Sequence, residues 1–346
     1  MRVPALEGVL SVEQACATGD FIASQQSSDG AIPWYAGGRL DVWDHVESAM
    51  GLTVAGRIAE AEAAYGWLAR TQRDDGSWPM RLQDGRVEDA AADTNQCAYV
   101  AVGVWHHHLV TGSVAHLARL WPTVERAINF VIRAQLPSGA LGWAVDGNGV
   151  VPEALITGSS SALQAIDCAG EIGRVLGHDR PRWRAAARRL GAAVRSDHGF
   201  LDKTRYSMDW YYPVLAGAVR DEAAERRLAS RWDTFVWPGR GIRCVADEPW
   251  VTAAETCELV LALEATGRHT SALELFEQVQ FLRDGATGGY WTGMNIPLAE
   301  VYPEGEQTTW SAAAVLLAAD ALCDATGGAE IFRSAGAGQV VEDAAS

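Results

Sequence analysis

Along most of the chain, apolar residues recur at three- and four-residue intervals, the period of an α-helix. These stretches are of two kinds. One kind has a charged face and an apolar stripe: RIAEAEAAYGWLARTQ over 57–72, the segment 114–135 ending in AINFVIRAQ, and RWRAAARRLGAAVR within 181–195. A stripe of that width predicts a half-exposed outer helix. The other kind has few charges and many small residues, as expected of helices buried on all sides. Six are present: DHVESAMGLTVAG from Asp44, DTNQCAYVAVGVW from Asp93, EALITGSSSALQAIDCAG from Glu153, DWYYPVLAGAV from Asp209, WVTAAETCELVLALEATG from Trp250 and EQTTWSAAAVLLAADAL from Glu306.

The six starts are 41 to 60 residues apart. Alternation of outer and inner helices at this period predicts an array of helical hairpins. Six hairpins predict closure into a ring, because closure removes the exposed ends an open array must cap. The expected fold is all-α, an (α/α)6 toroid over 1–333, with 334–346 as a flexible tail. Several outer helices end in a Gly- and Trp-containing turn: QQSSDGAIPWY from Gln25, QRDDGSW from Gln72 and QLPSGALGW from Gln135, with echoes at Ser196 and Gln280. Gly stops the helix, and Asp or Ser prepares the turn. Strand signals are weak and confined to about 142–150.

Charge narrows the function. With 28 basic and 44 acidic residues the net charge is −16, which argues against a nucleic-acid or anionic-membrane partner. No apolar run is long enough to span a bilayer. The N-terminal segment lacks the apolar core of a signal peptide, so the expected location is the cytoplasm. The six cysteines form no CxxC pair and read as small core residues, not as zinc ligands or a disulfide framework. The 14 tryptophans are the unusual feature, since many sit in loops or at helix starts.

In a toroid the inner helices run the same way, so their N-termini share one mouth. The residues there are Asp41, Trp43, Asp44 and Glu47; Asp93 and Asn95; Glu153; Asp209 and Tyr211; Trp250 and Glu255; and Glu306, Gln307 and Trp310. Any one acid at a helix start reads first as an N-cap, and Asp41 and Asp93 most of all. Capping does not explain Glu47, which shares a helix side with Asp41 and Asp44, or Glu255, beyond the first turn of a helix with few charges. Two facing carboxylates in an aromatic pocket are the parts of a glycosidase, one protonating the leaving oxygen and the other activating water or attacking the sugar. Trp43, Trp78, Trp250, Trp291 and Trp310 are candidate sugar platforms. Asp44 and Glu255 are the expected acid and its partner, in either order, with Asp41 tuning Asp44. No cofactor or metal is expected. His106, His107 and His108 point three ways on a helix, and Ser in GSSSA from Gly158 has no visible His partner.

The six-hairpin pattern with QRDDGSW-like turns resembles the terpenoid cyclase and protein prenyltransferase superfamily. The acid motif DxDD of the cyclases and the Asp, Cys and His zinc ligands of the prenyltransferases have no counterpart: the nearest segments are EDAAADTN and the adjacent Asp167 and Cys168. DVWDHVESAMGLTVAG and WVTAAETCELVLALEATG are similar to stretches of an actinobacterial group, often labelled prenyltransferase-like, that includes hydrolases of methylmannose polysaccharides. This resemblance implies endo-hydrolysis of α-1,4-linked 3-O-methylmannose chains, with Asp41, Asp44 and Glu255 as the acidic residues and a polysaccharide as the partner. The alternatives are a cyclase-like enzyme protonating an isoprenoid and a non-catalytic glycan-binding toroid. Asn95, Gln96, Tyr211 and Gln307 favour sugar.

Overall fold

The computed structural model describes residues 2–333; the expected tail lies outside the described residues. Helix α1 (Val12–Gln25) is followed by α2 (Val42–Val54), α3 (Ile58–Thr71) by α4 (Thr94–Thr111), and α5 (Val114–Arg133) by α6 (Ile156–Leu176). The next pair is α7 (Pro181–Ser196) and α8 (Ser207–Leu215). Then come α9 (Asp221–Ser230), the short α10 (Trp232–Phe235), α11 (Ala253–Ala265), α12 (His269–Val279), α13 (Thr309–Cys323) and the short α14 (Glu330–Arg333).

The even-numbered helices from α2 to α8, then α11 and α13, are the six inner ones. Each packs on the next, and α13 packs back on α2, which closes the ring. Their composition follows from this position. In α11 every residue from Ala253 to Leu263 is buried, so no polar face is needed. The outer helix α5 instead buries a single stripe, including Leu117, Leu120, Trp121, Val124, Ile128 and Val131. No single helix among the described residues is long and apolar enough to cross a membrane.

The turns after the outer helices hold neighbouring outer helices together. The Gln72 amide donates to Gly76 O in its own turn (3.0 Å) and to Thr123 O of α5 (3.0 Å). Gln26 joins Gly30 O to Glu60 O of α3, and Gln135 joins Gly139 O to Ala186 O of α7, in the same way. Gly76 has φ +96°, and a Cβ there would lie 2.3 Å from Arg126 O. Only glycine allows both the left-handed turn and the approach. At the end of the chain Gly288 O accepts from Thr18 Oγ1 of α1 (2.8 Å), closing the outer ring.

Short strands dress the mouth. They are β1 (Arg39–Leu40), β2 (Arg81–Gln83), β3 (Arg86–Asp89), β4 (Ala92–Asp93), β5 (Ala144–Asp146), β6 (Gly149–Val150), β7 (Val236–Trp237), β8 (Gly241–Arg243), β9 (Trp250–Thr252), β10 (Gly293–Asn295) and β11 (Glu300–Val301). They form three antiparallel sheets, β1-β2-β3, β4-β5-β6 and β11-β10-β9-β8-β7. Only β5 and β6 fall where the sequence pattern expects strands. The others are too short to show a two-residue alternation.

The α2–α13 contact has no room for a side chain at Gly51, where a Cβ would lie 2.7 Å from both Ala313 Cα and Ala313 Cβ. Gly51→Ala is expected to lower stability by about 1–3 kcal/mol through overpacking. Gly170→Ala, on an exposed turn of α6 with open space around it, is expected to raise it by up to about 1 kcal/mol. Urea denaturation of the two variants beside the wild type tests both signs.

Candidate active site

The mouth leads into a cavity of about 290 Å³. From α2 and its cap come Asp41, Trp43, Asp44 and Glu47; from the start of α4, Asp93, Asn95 and Gln96; from α11, Glu255 and Glu258; from α13, Trp310. Six carboxylates therefore line one cavity. Thr94, Leu141, Trp143, Leu155, Thr157, Gly158, Ser159 and Met208 complete the lining.

Local structure explains each placement. Asp41 is the N-cap of α2, accepting from Asp44 N (3.0 Å) and from the Trp34 indole (2.9 Å). Asp93 is the N-cap of α4, accepting from Asn95 N (2.8 Å) and Gln96 N (3.0 Å). Both are caps, as the sequence suggests, and both also face the cavity. Asp44 and Glu47 follow Asp41 on one side of α2. The Trp43 indole donates to Glu47 Oε2 (3.1 Å) while its ring stacks on Tyr99 with centroids 4.6 Å apart. Glu255 lies in the first turn of α11, not beyond it as the sequence pattern suggests, because the helix starts only at Ala253 after β9; it is 7% exposed. Helix α13 lies between α2 and α11, packing on both, so Asp44 and Glu255 approach one cavity from two sides.

This concentration of charge is costly, and the protons respond. Burial, and after it Asp41, Glu47 and Glu258, pushes the Asp44 carboxyl well above the usual carboxylate range. Burial pushes Glu47 up to about 7, with Glu255 and Asp41 adding to it and the Trp43 N–H opposing. Glu258 is raised well above its ordinary value by burial first and then by Glu47 and Glu255, against a hydrogen bond from the Tyr211 hydroxyl. Asp93 is held at about 6 by burial, despite its two backbone donors. Among the buried polar atoms of the described residues that have no hydrogen-bond partner are Glu255 Oε2, Asn95 Oδ1 and Trp310 Nε1. All three residues line the cavity, and a buried orphan of this kind is satisfied by a ligand or water.

Not every expected site residue reaches the cavity. Asp209 stands behind it, accepting from Thr157 Oγ1 (2.7 Å), and Tyr211 stands behind Glu258. Trp250 donates to Tyr302 O (2.9 Å) and packs edge-on against the Tyr302 ring. Trp291 packs against the core. Trp78 is fully buried and donates to Leu68 O (3.1 Å). Glu306 accepts from Thr292 Oγ1 (3.1 Å), and Gln307 bonds Asp284 and Thr287. None of these seven residues lines the cavity. Position at a helix start does not decide whether a side chain turns inward or ties the loop above it. Glu258 is the carboxylate the sequence reading misses, as it misses Leu141, Trp143 and Met208; the signal for Glu258 is the three-residue spacing from Glu255, which places both on one face of α11.

Within the histidine run, His107 lies beside His116 of α5 and Glu62 of α3, with one ligand atom of each within 4.8 Å of the others. The two imidazoles are stacked, 4.0 Å apart and 23° from parallel, so their in-plane lone pairs run side by side instead of converging. Arg119 donates to His116 Nδ1 (2.7 Å) and to Glu62 Oε2 (3.2 Å). Burial pushes both histidines down to about 4, which suits neutral packed rings. All six cysteines are free thiols.

A closed ring of six helical hairpins, with carboxylates and indoles lining one cavity at its mouth, defines the molecule as an (α/α)6 toroid with an acidic, aromatic site. Solved structures support the fold: a wild-type glycosidase aligns with a TM-score of 0.69 at 17% identity over 90% of this chain and 96% of its own. A D-mannose isomerase aligns at 0.67 and 12% identity over 90% and 96%. No family model matches the sequence. The curated protein named MMP endo-(1,4)-3-O-methyl-alpha-D-mannosidase, from Mycolicibacterium hassiacum, is 51% identical over 338 residues, covering 96% of this chain and 92% of that protein. The chain belongs to this family of endo-acting methylmannosidases.

Raised carboxyls give the site a pH signature in stability. Glu47 keeps its proton in the fold where the unfolded chain has lost it. Its contribution is therefore fully present below about pH 4.5 and is lost as pH rises through about 7. Glu47→Gln can still accept from Trp43 and suffers no such loss. Relative to the wild type, it should gain up to about 3 kcal/mol of stability between pH 5 and pH 8. Urea midpoints at the two pH values measure this difference, and a gain of equal size at both would contradict the assignment.

Proposed function

We propose that this chain hydrolyses internal α-1,4 bonds of 3-O-methylmannose chains, with Asp44 as the general acid and Glu255 as the opposing carboxylate. One observation carries the reading: Asp44 and Glu255, on inner helices either side of α13, line the same cavity. The substrate class follows the name of the 51% identical relative.

The roles divide by environment. A general acid must hold its proton at the working pH, and desolvation with Asp41, Glu47 and Glu258 nearby shifts Asp44 in that direction. It protonates the glycosidic oxygen as the bond from that oxygen to the anomeric carbon breaks. Positive charge then develops on the sugar ring, and the surrounding carboxylates stabilise it. Glu255 acts on the anomeric carbon from the other side, as base for a water or as nucleophile. Asp41 positions Asp44 and holds its pKa up. Trp43, Trp143 and Trp310 supply faces for sugar rings, and Asn95 and Gln96 are within the lining to meet hydroxyls.

Asp44→Asn and Glu255→Gln should each lower turnover of 3-O-methylated α-1,4-mannooligosaccharides about 10²–10⁴-fold without lowering the unfolding midpoint. Mass spectrometry of the products reads the loss, and full activity in either variant would remove it from the mechanism. Asp41→Asn keeps the helix cap but removes a negative neighbour of Asp44. The alkaline limb of the pH profile of kcat/KM should therefore move to lower pH; an unmoved limb would mean that Asp41 does not tune the acid.

A further inference from the structure

The cavity has two chemically different sides. Its carboxylates come from α2, α4 and α11, whereas the side nearest α6 and α8 carries no charge and presents Leu141, Trp143, Leu155 and Met208 beside Thr157, Gly158 and Ser159. Leu155 occupies the N-cap of α6 and makes no side-chain cap, at the position where α2 and α4 have Asp41 and Asp93. An apolar residue there forgoes a hydrogen bond the helix start would accept. Leu155, Trp143 and Met208 are only half-buried, so each offers apolar surface to the cavity.

The wall is also held in place. Trp143 O accepts from Thr94 N (3.0 Å) at the start of α4, and Trp143 N donates to Glu153 O (2.9 Å) just ahead of α6. Leu141 N is 3.4 Å from Ser159 Oγ. Both aromatic and aliphatic members therefore stand on backbone fixed to two inner helices before any ligand arrives.

A methoxy group and a hydroxyl differ in one decisive way. The hydroxyl can donate a hydrogen bond to a carboxylate; the methoxy cannot, and its methyl group gains by leaving water. The acidic side of the cavity thus favours the bare sugar, and preference for the methylated one has to arise elsewhere. Resting on the substrate class proposed above, we infer that the wall of Leu141, Trp143, Leu155 and Met208 receives the 3-O-methyl groups and decides for methylated over unmethylated mannose. One methyl group in a fitted apolar pocket discriminates about 10- to 200-fold.

The test compares kcat/KM for 3-O-methylated and unmethylated α-1,4-mannooligosaccharides of equal length, in the wild type, Met208→Gln and Leu155→Asn. The wild type should prefer the methylated chain at least about tenfold, and each variant should reduce that ratio at least about threefold, mainly through KM. Because a variant could perturb the fold, unfolding midpoints are measured. The affinity ratio for the two oligosaccharides is also taken by calorimetry in a Glu255→Gln background, where turnover is suppressed. A ratio unchanged by both substitutions, in kinetics and in binding, overturns the wall as the methyl site. Wild-type cleavage of both chains at equal rates overturns the inference while leaving a mannosidase. Cleavage of neither overturns the substrate class and the inference with it.

Discussion

The contact of α13 with α2 turns a string of hairpins into a ring, and the site depends on it. Gly51 and Ala313 meet there without space for another methyl group, and α13 also packs on α11. That double contact brings Asp44, near the beginning of the chain, and Glu255, more than two hundred residues later, to one cavity. On the outside, Gln26, Gln72 and Gln135 perform a matching task in the first three turns, joining one outer helix to the next through backbone carbonyls. Gly288 and Thr18 complete that circuit.

Closure also sets the electrostatics. Helix starts favour acids one at a time, through the dipole and the orphan N–H groups. Bringing several such starts together reverses the balance, because each new carboxylate raises the cost of ionising the others. The raised proton affinities of Asp44, Glu47 and Glu258 are the outcome. The same crowding that weakens the fold at high pH pushes the Asp44 carboxyl upward. Membership in a family of mannosidases decides between sugar and isoprenoid as the recipient of that proton.

The strands and loops of the mouth show a division of labour among residues that look alike in sequence. Trp43, Trp143 and Trp310 face the cavity, whereas Trp250, Trp291 and Trp78 hold loops and core together. Gln307 and Glu306 anchor the turn ahead of α13 instead of meeting a ligand. Tyr211 and Asp209 act one layer back, on Glu258 and Thr157.

The sequence by itself determined the helical period, the inner and outer classes of helix, the six-fold repeat and the acids that open the inner helices. These are local properties: a stripe, a small-residue helix, a Gly turn and a cap are each written within a few residues. It also singled out Asp41, Asp44 and Glu255, three residues that line one cavity, through short stretches similar to a family. Tertiary structure alone decided which side chains at the mouth turn inward, since the rotation of each helix start is fixed by neighbours distant in sequence. It brought in Glu258, added the apolar wall from Leu141 to Met208 and set the proton affinities, because burial and the distances between charges exist only once the ring has closed.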